Sequence, residues 1–332
     1  MEQINSKQDL INYFEKGCKK ENQLSIGVEH EKFIFDNSTN QRVNFKTISK
    51  IFNFFEQLGW KTIKEKDYVI GLFRKGQSIT LEPGNQIELS GAKLNSIHLN
   101  CSESYKYLDE LSKACKKLNL KMMSVSFDPF TKLEDVPQTP KQRYGIMTKE
   151  MPKDGKLSLH MMYQTCGTQI NLDYISEKDF IKKFKLSSFL TPISIAIFAN
   201  SPIIENRLSG YLSYRSKVWQ NTSRAGLPKI FLEEIDFEKY VDIAINIPLL
   251  FILKNSNYYK AEGKTFKDFM DGKLSKINAK PNINDFKNHL GTIFTEVRLK
   301  QYIEVRSLDT CEWDCHCGGP AFYTGLLYGS LD

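Results

Sequence analysis

What the 332-residue sequence lacks narrows the field first. No apolar run reaches the roughly 20 residues of a membrane-spanning helix; the longest, 243–253, is broken by Asn246 and Pro248. The N-terminal MEQINSKQDLINYFEKG has no apolar core of the signal-peptide kind. Repeats, low-complexity tracts and long Pro/Gly/Ser linkers are absent, so one continuous domain over 1–332 is expected. The seven cysteines (18, 101, 115, 166, 311, 315 and 317) are odd in number and irregularly spaced. They imply no disulfide framework, and a reducing, cytoplasmic setting is the expectation. Charge is nearly balanced, 46 Lys+Arg against 39 Asp+Glu, for a net +7. This spread surplus attracts anionic metabolites as readily as nucleic acid, and neither a nucleic-acid nor a membrane partner is expected.

What is present predicts an α+β fold. Leu94, Ile97, Cys101, Tyr105, Leu108, Leu111, Cys115 and Leu118 recur every three or four residues, the stripe of an amphipathic helix over 94–118. Similar patterns predict helices at 44–58, 177–198 and 237–253, with shorter ones near 8–16, 265–271, 283–292 and after Pro320. Alternating segments at 24–35, 78–90, 121–127, 166–174 and 300–307 read as strands. The interleaving lacks the ~30-residue rhythm of a parallel βαβ fold. The expected architecture is a curved, largely antiparallel sheet with helices on its outer face.

Alternate strand residues share a face, which makes these segments informative. In SIGVEHEKFIF, Glu29 and Glu31 oppose Ile26 and Val28; in SITLEPGNQIELSG, Glu82 precedes a Pro-Gly bend and Gln86, Glu88 and Ser90 follow it. Gln169, Asn171 and Asp173 share a face in GTQINLDY, as do Tyr302, Glu304 and Arg306 in KQYIEVRSLD. Any one of these could be the wet face of an ordinary sheet. Together they carry mainly carboxylates, amides and one arginine, and five converging carboxylates repel by several kcal/mol unless neutralised. A hard divalent cation such as Mg²⁺ would neutralise them while keeping waters for phosphate ligands. Glu29, Glu31, Glu82, Glu88 and Glu304 are therefore candidate ligands of a Mg²⁺–nucleotide site. Arg143, Arg215, Arg224, Arg298 and Arg306 form the complementary set, since a guanidinium fork grips carboxylate and phosphate bidentately.

Longer segments carry a resemblance. GVEHEKF, GLFRKGQSITLEPGNQIELSG, PKQRYGIM, TCGTQINLD, ANSPIIE, LSYRSKVW, NHLGTIFTEVRLKQYIEVRSLD and GGPAFYTGLLY follow one another across nearly the whole chain. Together they resemble the glutamate–cysteine ligases of the plant and proteobacterial type, whose catalytic sheet is shared with glutamine synthetase. The resemblance implies ATP- and Mg²⁺-dependent joining of glutamate, through its γ-carboxylate, to cysteine by way of a γ-glutamyl phosphate, the first step towards glutathione. It assigns the five glutamates to metal binding, and Glu304, Arg306 and Arg298 to catalysis, with Arg306 offsetting charge on the acyl phosphate. Arg143, Arg215, Arg224, Trp219, Gln169 and Asn171 would meet the amino-acid substrate and the transferred phosphate. Lys75, Gln77 and Ser78 would contact ATP. A monomer or weak homodimer is expected. The family continues with a further helical segment beyond GLLYGSLD, and it offers no clear counterpart here for the redox cysteine pairs of the plant enzymes. Two rivals are another γ-glutamyl amine ligase with a different acceptor, and a catalytically inactive nucleotide-binding relative.

Other signals carry less. Gly71–Ser78 nearly spells a phosphate-binding loop, but Gln77 stands where lysine is required and a strand follows instead of a helix. Cys311, Cys315, His316 and Cys317 crowd together without a distant second pair, unlike a zinc site. His30, opposite the Glu29/Glu31 face, and His98, beside an apolar stripe, read as structural. Met161 and Met162 read as core, with a soft pocket for a thiol as the alternative.

Overall fold

A computed structural model describes residues 2–274, 277 and 279–329. The alternating segments assemble into a nine-stranded sheet whose strand pairs are all antiparallel. Its strands are β1 (Ile26–Asp36), β2 (Lys61–Glu65), β3 (Tyr68–Arg74), β4 (Gln77–Leu81), β5 (Ile87–Ser90), β6 (Leu120–Met123) and β7 (Gly167–Leu172). Six short strands pair outside it: β8 (Ile203–Ile204) with β9 (Arg207–Leu208), β10 (Ala225–Gly226) with β13 (Phe294–Thr295), and β11 (Phe251–Lys254) with β12 (Asn257–Lys260). The main sheet is completed by β14 (Val297–Leu299) and β15 (Ile303–Asp309). Its order is β14-β15-β7-β1-β5-β4-β3-β2, with β6 on the far end of β1.

The helices are α1 (Lys7–Glu15), α2 (Phe45–Gln57), α3 (Ile97–Lys117), α4 (Gln142–Glu150), α5 (Ser158–Gln164), α6 (Glu177–Ile197), α7 (Tyr214–Trp219), α8 (Phe237–Asn246), α9 (Phe266–Met270), α10 (Ile283–Leu290) and α11 (Gly318–Tyr328). Polar caps start many of them: Asn44, Ser96, Ser176, Ser213, Asp236, Thr265 and Asn282 each accept a first-turn amide. Sheet residues that point away from the acidic face carry the core. Leu72, Ile79, Leu81, Ile87 and Leu89 pack with Ile51, Phe55, Leu108 and Leu111 of α2 and α3. Ile26, Val28, Ile170, Leu172 and Val305 pack with Tyr323 and Leu327 of α11.

Three expectations change. The predicted helix over 237–253 ends at Asn246, because Pro248 disfavours helical backbone before it and has no amide to donate; Phe251–Lys254 is strand instead. The predicted strand over 78–90 is a hairpin that turns at Glu82–Gln86, where the Glu82 amide donates to the Gln86 carbonyl at 2.9 Å. Cys101 on α3 and Cys317 at the head of α11 are joined in a disulfide, against the expectation of none; 216 residues separate them, so spacing gave no sign of the pairing. The stretch after Gly71 forms the β3–β4 turn, as a strand-flanked loop should.

Helix α6 buries Phe180 and Phe184 in its first half, but its second half is inverted. Ser187, Ser188, Thr191 and Ser194 face inward, with the Ser194 hydroxyl 3.0 Å from that of Ser307 on β15. Phe189, Ile193 and Ile197 face water at 51%, 50% and 58% exposure. Among the described residues no helix is long and apolar enough to cross a membrane.

Ile170 is fully buried between the sheet and α11. Replacing it with alanine leaves a cavity that helix and sheet cannot both close, so Ile170→Ala is expected to cost about 2–5 kcal/mol, read by denaturant unfolding; a loss under about 1 kcal/mol would place Ile170 outside the core.

Candidate active site

The register brings the acidic positions together. Glu31 lies opposite Glu88, and Glu29 lies opposite Ser90 on one side and Gln169 on the other. Glu304 pairs with Asn171 and with Arg298. Glu82 leaves β4 at the hairpin turn, returning the chain so that it joins the same face. Glu29, Glu31, Glu82, Glu88, Arg143, Gln169, Arg298 and Arg306 all line one cavity of about 260 Å³. Its opposite wall is one that sequence reasoning missed: Tyr144 and Met147 of α4, Phe251 and Tyr258 of the β11–β12 hairpin, and Thr292 and Phe294 after α10. The apolar run at 243–253 mimics a helix and hides this hairpin; Pro248 was the available signal.

The carboxylates differ in what holds them. Glu31 accepts the Gly167 amide at 2.7 Å and the Gln169 side chain at 3.1 Å; Glu29 accepts Asn171 at 2.9 Å; Glu88 accepts the hydroxyls of Thr80 and Ser90, both at 3.0 Å. Burial, followed by the charge of Glu82, pushes the Glu31 carboxyl up to about 7 despite Arg215 nearby. Burial, then Glu29, Glu82 and Glu31, push Glu88 well above the carboxylate range. Among the described residues no three or more His, Cys, Asp or Glu side chains already stand together as the ligands of a bound metal ion would. The donor chemistry nonetheless suits a hard cation: four carboxylates crowd one partly buried wall, and two of them resist ionisation.

Glu304 stands apart from these four. It is fully buried behind the cavity wall and accepts from Arg298 Nη2 at 2.8 Å and Arg306 Nη1 at 2.9 Å, with Lys300 Nζ at 3.4 Å. Burial alone would raise its carboxyl, but Arg298, Lys300 and Arg306 reverse that and hold it well below the usual range. Its oxygens are thus occupied by three cations, and the structure does not bring them to the cavity with the other four glutamates. Arg298 is spent on Glu304 and on the carbonyls of Gly291 and Ile293. Arg306 reaches the cavity while bonded to Gln169 and Glu304.

Other candidates sit away from the cavity lining. Arg215 is buried and donates to the carbonyls of Arg306 at 2.8 Å and Ser307 at 3.4 Å, beside the register shift in β15. A side chain at Gly167 would come within 2.6 Å of that guanidinium, so the glycine makes its room. Trp219 lies buried beneath both arginines, 4.6 Å from Arg215 and 5.3 Å from Arg306. Arg224, at φ 53°, gives Nη1 to the Pro248 carbonyl at 2.6 Å and lines a different cavity with Asp154 and Lys260. Asn171 donates its side-chain amide to Glu29 from the neighbouring strand on the same face. Lys75 and Gln77 lie at the β3–β4 turn, and Ser78 opposes Ser90 in the ladder. His30 is buried on the other face, stacked 3.5 Å from His316. Cys311 and Cys315 are free thiols. Met162 is core, while Met161 packs at the edge of the same cluster.

A sheet face of carboxylates, amides and arginines under an apolar wall suits the handling of anions, and known proteins share its sequence. Residues 25–332 match Glutamate-cysteine ligase family 2, and the chain belongs to that family. It is 44% identical over 331 residues to the chloroplastic glutamate–cysteine ligase of Nicotiana tabacum, covering 98% of this chain and 63% of that protein. It is 43% identical over 331 residues to the Medicago truncatula counterpart, covering 98% of this chain and 65% of that one. The chain thus spans less than two thirds of the length of these relatives. A solved glutamate–cysteine ligase from Francisella tularensis in complex with AMP shares the fold at a TM-score of 0.50 and 11% identity, covering 94% of this chain and 68% of that one.

The raised Glu31 carboxyl has a signed consequence. A group protonated more readily when folded stabilises the fold below its unfolded value near 4.5, and that contribution fades as pH rises through about 7. Without added divalent cation, Glu31→Gln is therefore expected to be more stable than the parent at pH 8, by on the order of 1–3 kcal/mol, and equal to it near pH 4. Thermal unfolding at the two pH values checks this; equal stability at pH 8 would mean that Glu31 is not crowded by like charge.

Proposed function

We propose that the chain catalyses ATP-dependent joining of the glutamate γ-carboxylate to the cysteine amine, through a γ-glutamyl phosphate. The observation that carries this reading is the single cavity lined by Glu29, Glu31, Glu82, Glu88, Arg143 and Arg306. The family membership and the names of the relatives support it.

A carboxylate is a poor electrophile and its oxygen a poor leaving group, so the γ-carboxylate must be activated. A γ-carboxylate oxygen attacks the terminal phosphorus of ATP and ADP leaves; the cysteine amine then attacks the acyl carbon, phosphate leaves, and the nitrogen loses a proton. Both steps concentrate negative charge on phosphoryl oxygens, where a preorganised guanidinium helps most. Arg306 fits that task, because Glu304 and Gln169 hold its Nη1 edge while it borders the cavity. Arg298 and Lys300 keep Glu304 ionised and so keep Arg306 in place. Arg143 faces the same space from α4, where it suits the substrate carboxylate. Mg²⁺, held by Glu29, Glu31, Glu82 and Glu88, would supply charge neutralisation for the ATP phosphates. Met147, Phe251 and Phe294 give the cavity one apolar wall, which suits an acyl phosphate that water would hydrolyse.

The test is ADP release by the purified chain with glutamate, cysteine, ATP and Mg²⁺, and mass detection of γ-glutamylcysteine. Release that requires both amino acids is expected, and Glu304→Gln should lower kcat on the order of 10²-fold with the fold retained, because Arg306 loses its anchor. Turnover only with a different amine would move the acceptor assignment, and nucleotide binding without turnover would overturn the proposal.

A further inference from the structure

We infer that Glu296 is a positioning residue that acts through Arg306. This rests on the ligase reading above and adds to it a residue outside the cavity lining.

Glu296 lies between β13 and β14 and is 2% exposed. Two backbone bonds clamp it beside Arg306: its amide donates to the Gly226 carbonyl at 2.9 Å, and its carbonyl accepts the Arg306 amide at 2.8 Å. Burial pushes its carboxyl above the usual carboxylate range; Arg215 and Arg306 oppose that push and Asp309 adds to it. Its Oε2 is buried without a hydrogen-bond partner, and so are Arg306 Nε, Arg215 Nε and Trp219 Nε1. Three buried donors and one buried acceptor, all on groups gathered about Trp219 and the β15 register shift, thus lack partners in one locality.

Burying a carboxylate is unfavourable, and an amide of the same shape would fill the volume without that cost. The charge therefore needs a use. Arg306 gives its Nη1 to Glu304 and Gln169, which pull it along the sheet face. Glu296, bonded to the Arg306 backbone and acting on its guanidinium by charge, is a second anion competing for it. A guanidinium between two anions keeps one orientation; a guanidinium with one anion can settle wholly onto it. Burial makes the second anion effective, because little water screens it. Glu296 does not itself line the cavity, and the lining residue it is bonded to is Arg306, so its influence on the chemistry runs through that arginine.

The experiment compares Glu296→Gln and Glu296→Asp in the full chain, each also in an Arg306→Lys background. Glu296→Gln is expected to lower kcat about tenfold while the KM values for glutamate and ATP stay within about threefold, and Glu296→Asp, which keeps the charge, to recover most of the loss. In the Arg306→Lys background, adding Glu296→Gln should change kcat by less than about twofold, since its route is already cut. An equal loss in both backgrounds, or an unchanged kcat, would overturn the inference. A second readout needs no turnover, and so separates this inference from the ligase reading. With Trp60→Phe and Trp313→Phe leaving Trp219 as the sole tryptophan, Glu296→Gln should shift the Trp219 emission of the folded protein. An unmoved spectrum would mean that the arginines over Trp219 do not depend on Glu296.

Discussion

Glu304 is buried against Arg298, Lys300 and Arg306, and the charge balance of the whole sheet face follows from how that cluster is satisfied. On β14 and β15 the carboxylate is outnumbered by cations and stays ionised. Two and three strands away, on β1 and β5, the glutamates outnumber the cations, and Glu31 and Glu88 resist ionisation. The face is thus uneven across its width, with surplus positive charge at one side and carboxyls crowded enough to hold protons at the other. Arg306 and Gln169 form the seam between the two, bonded to each other, with Gln169 also bonded to Glu31.

Parts of the molecule remote from the cavity maintain this arrangement. Helix α7 is tied to the end of β15 because Asp309 accepts the Ser213 and Ser201 hydroxyls, at 3.0 and 2.7 Å. From that helix Arg215 reaches the two carbonyls freed by the irregularity in β15, acting in place of a neighbouring strand. Gly167 allows the approach, since any side chain there would meet the guanidinium. Bulges of this kind re-aim side chains, and here the residue at the bulge is Arg306.

Which acids share a face was legible from alternation alone. Ile26 and Val28, or Ile87 and Leu89, must face the core, and this forces Glu29, Glu31 and Glu88 to the other side. Depth was not legible. The same alternation puts Glu304 on that face, but only the packed structure reveals three cations closing over it. Arg215 and Arg224 resemble family positions equally well, yet one braces a strand from beneath and the other turns into a separate cavity at a left-handed backbone position. The opposing wall was hidden by local ambiguity, because an apolar segment such as 243–253 suits helix and strand alike until the proline is weighed. The link between Cys101 and Cys317 depends on two helices meeting across 216 residues, a relation no local pattern encodes.

The inverted half of helix α6 has a consequence for handling the protein. Two of its inward hydroxyls are consumed locally, Ser188 on the Phe184 carbonyl and Thr191 on the Ser187 carbonyl, while Ser194 meets Ser307 on β15. The bulky side chains point the other way, and water meets Phe189, Ile193 and Ile197 in a row along one ridge. Polar replacements on that ridge should leave folding nearly untouched while making concentrated solutions less prone to precipitate, a reversal of the usual rule that an apolar helical residue guards the interior.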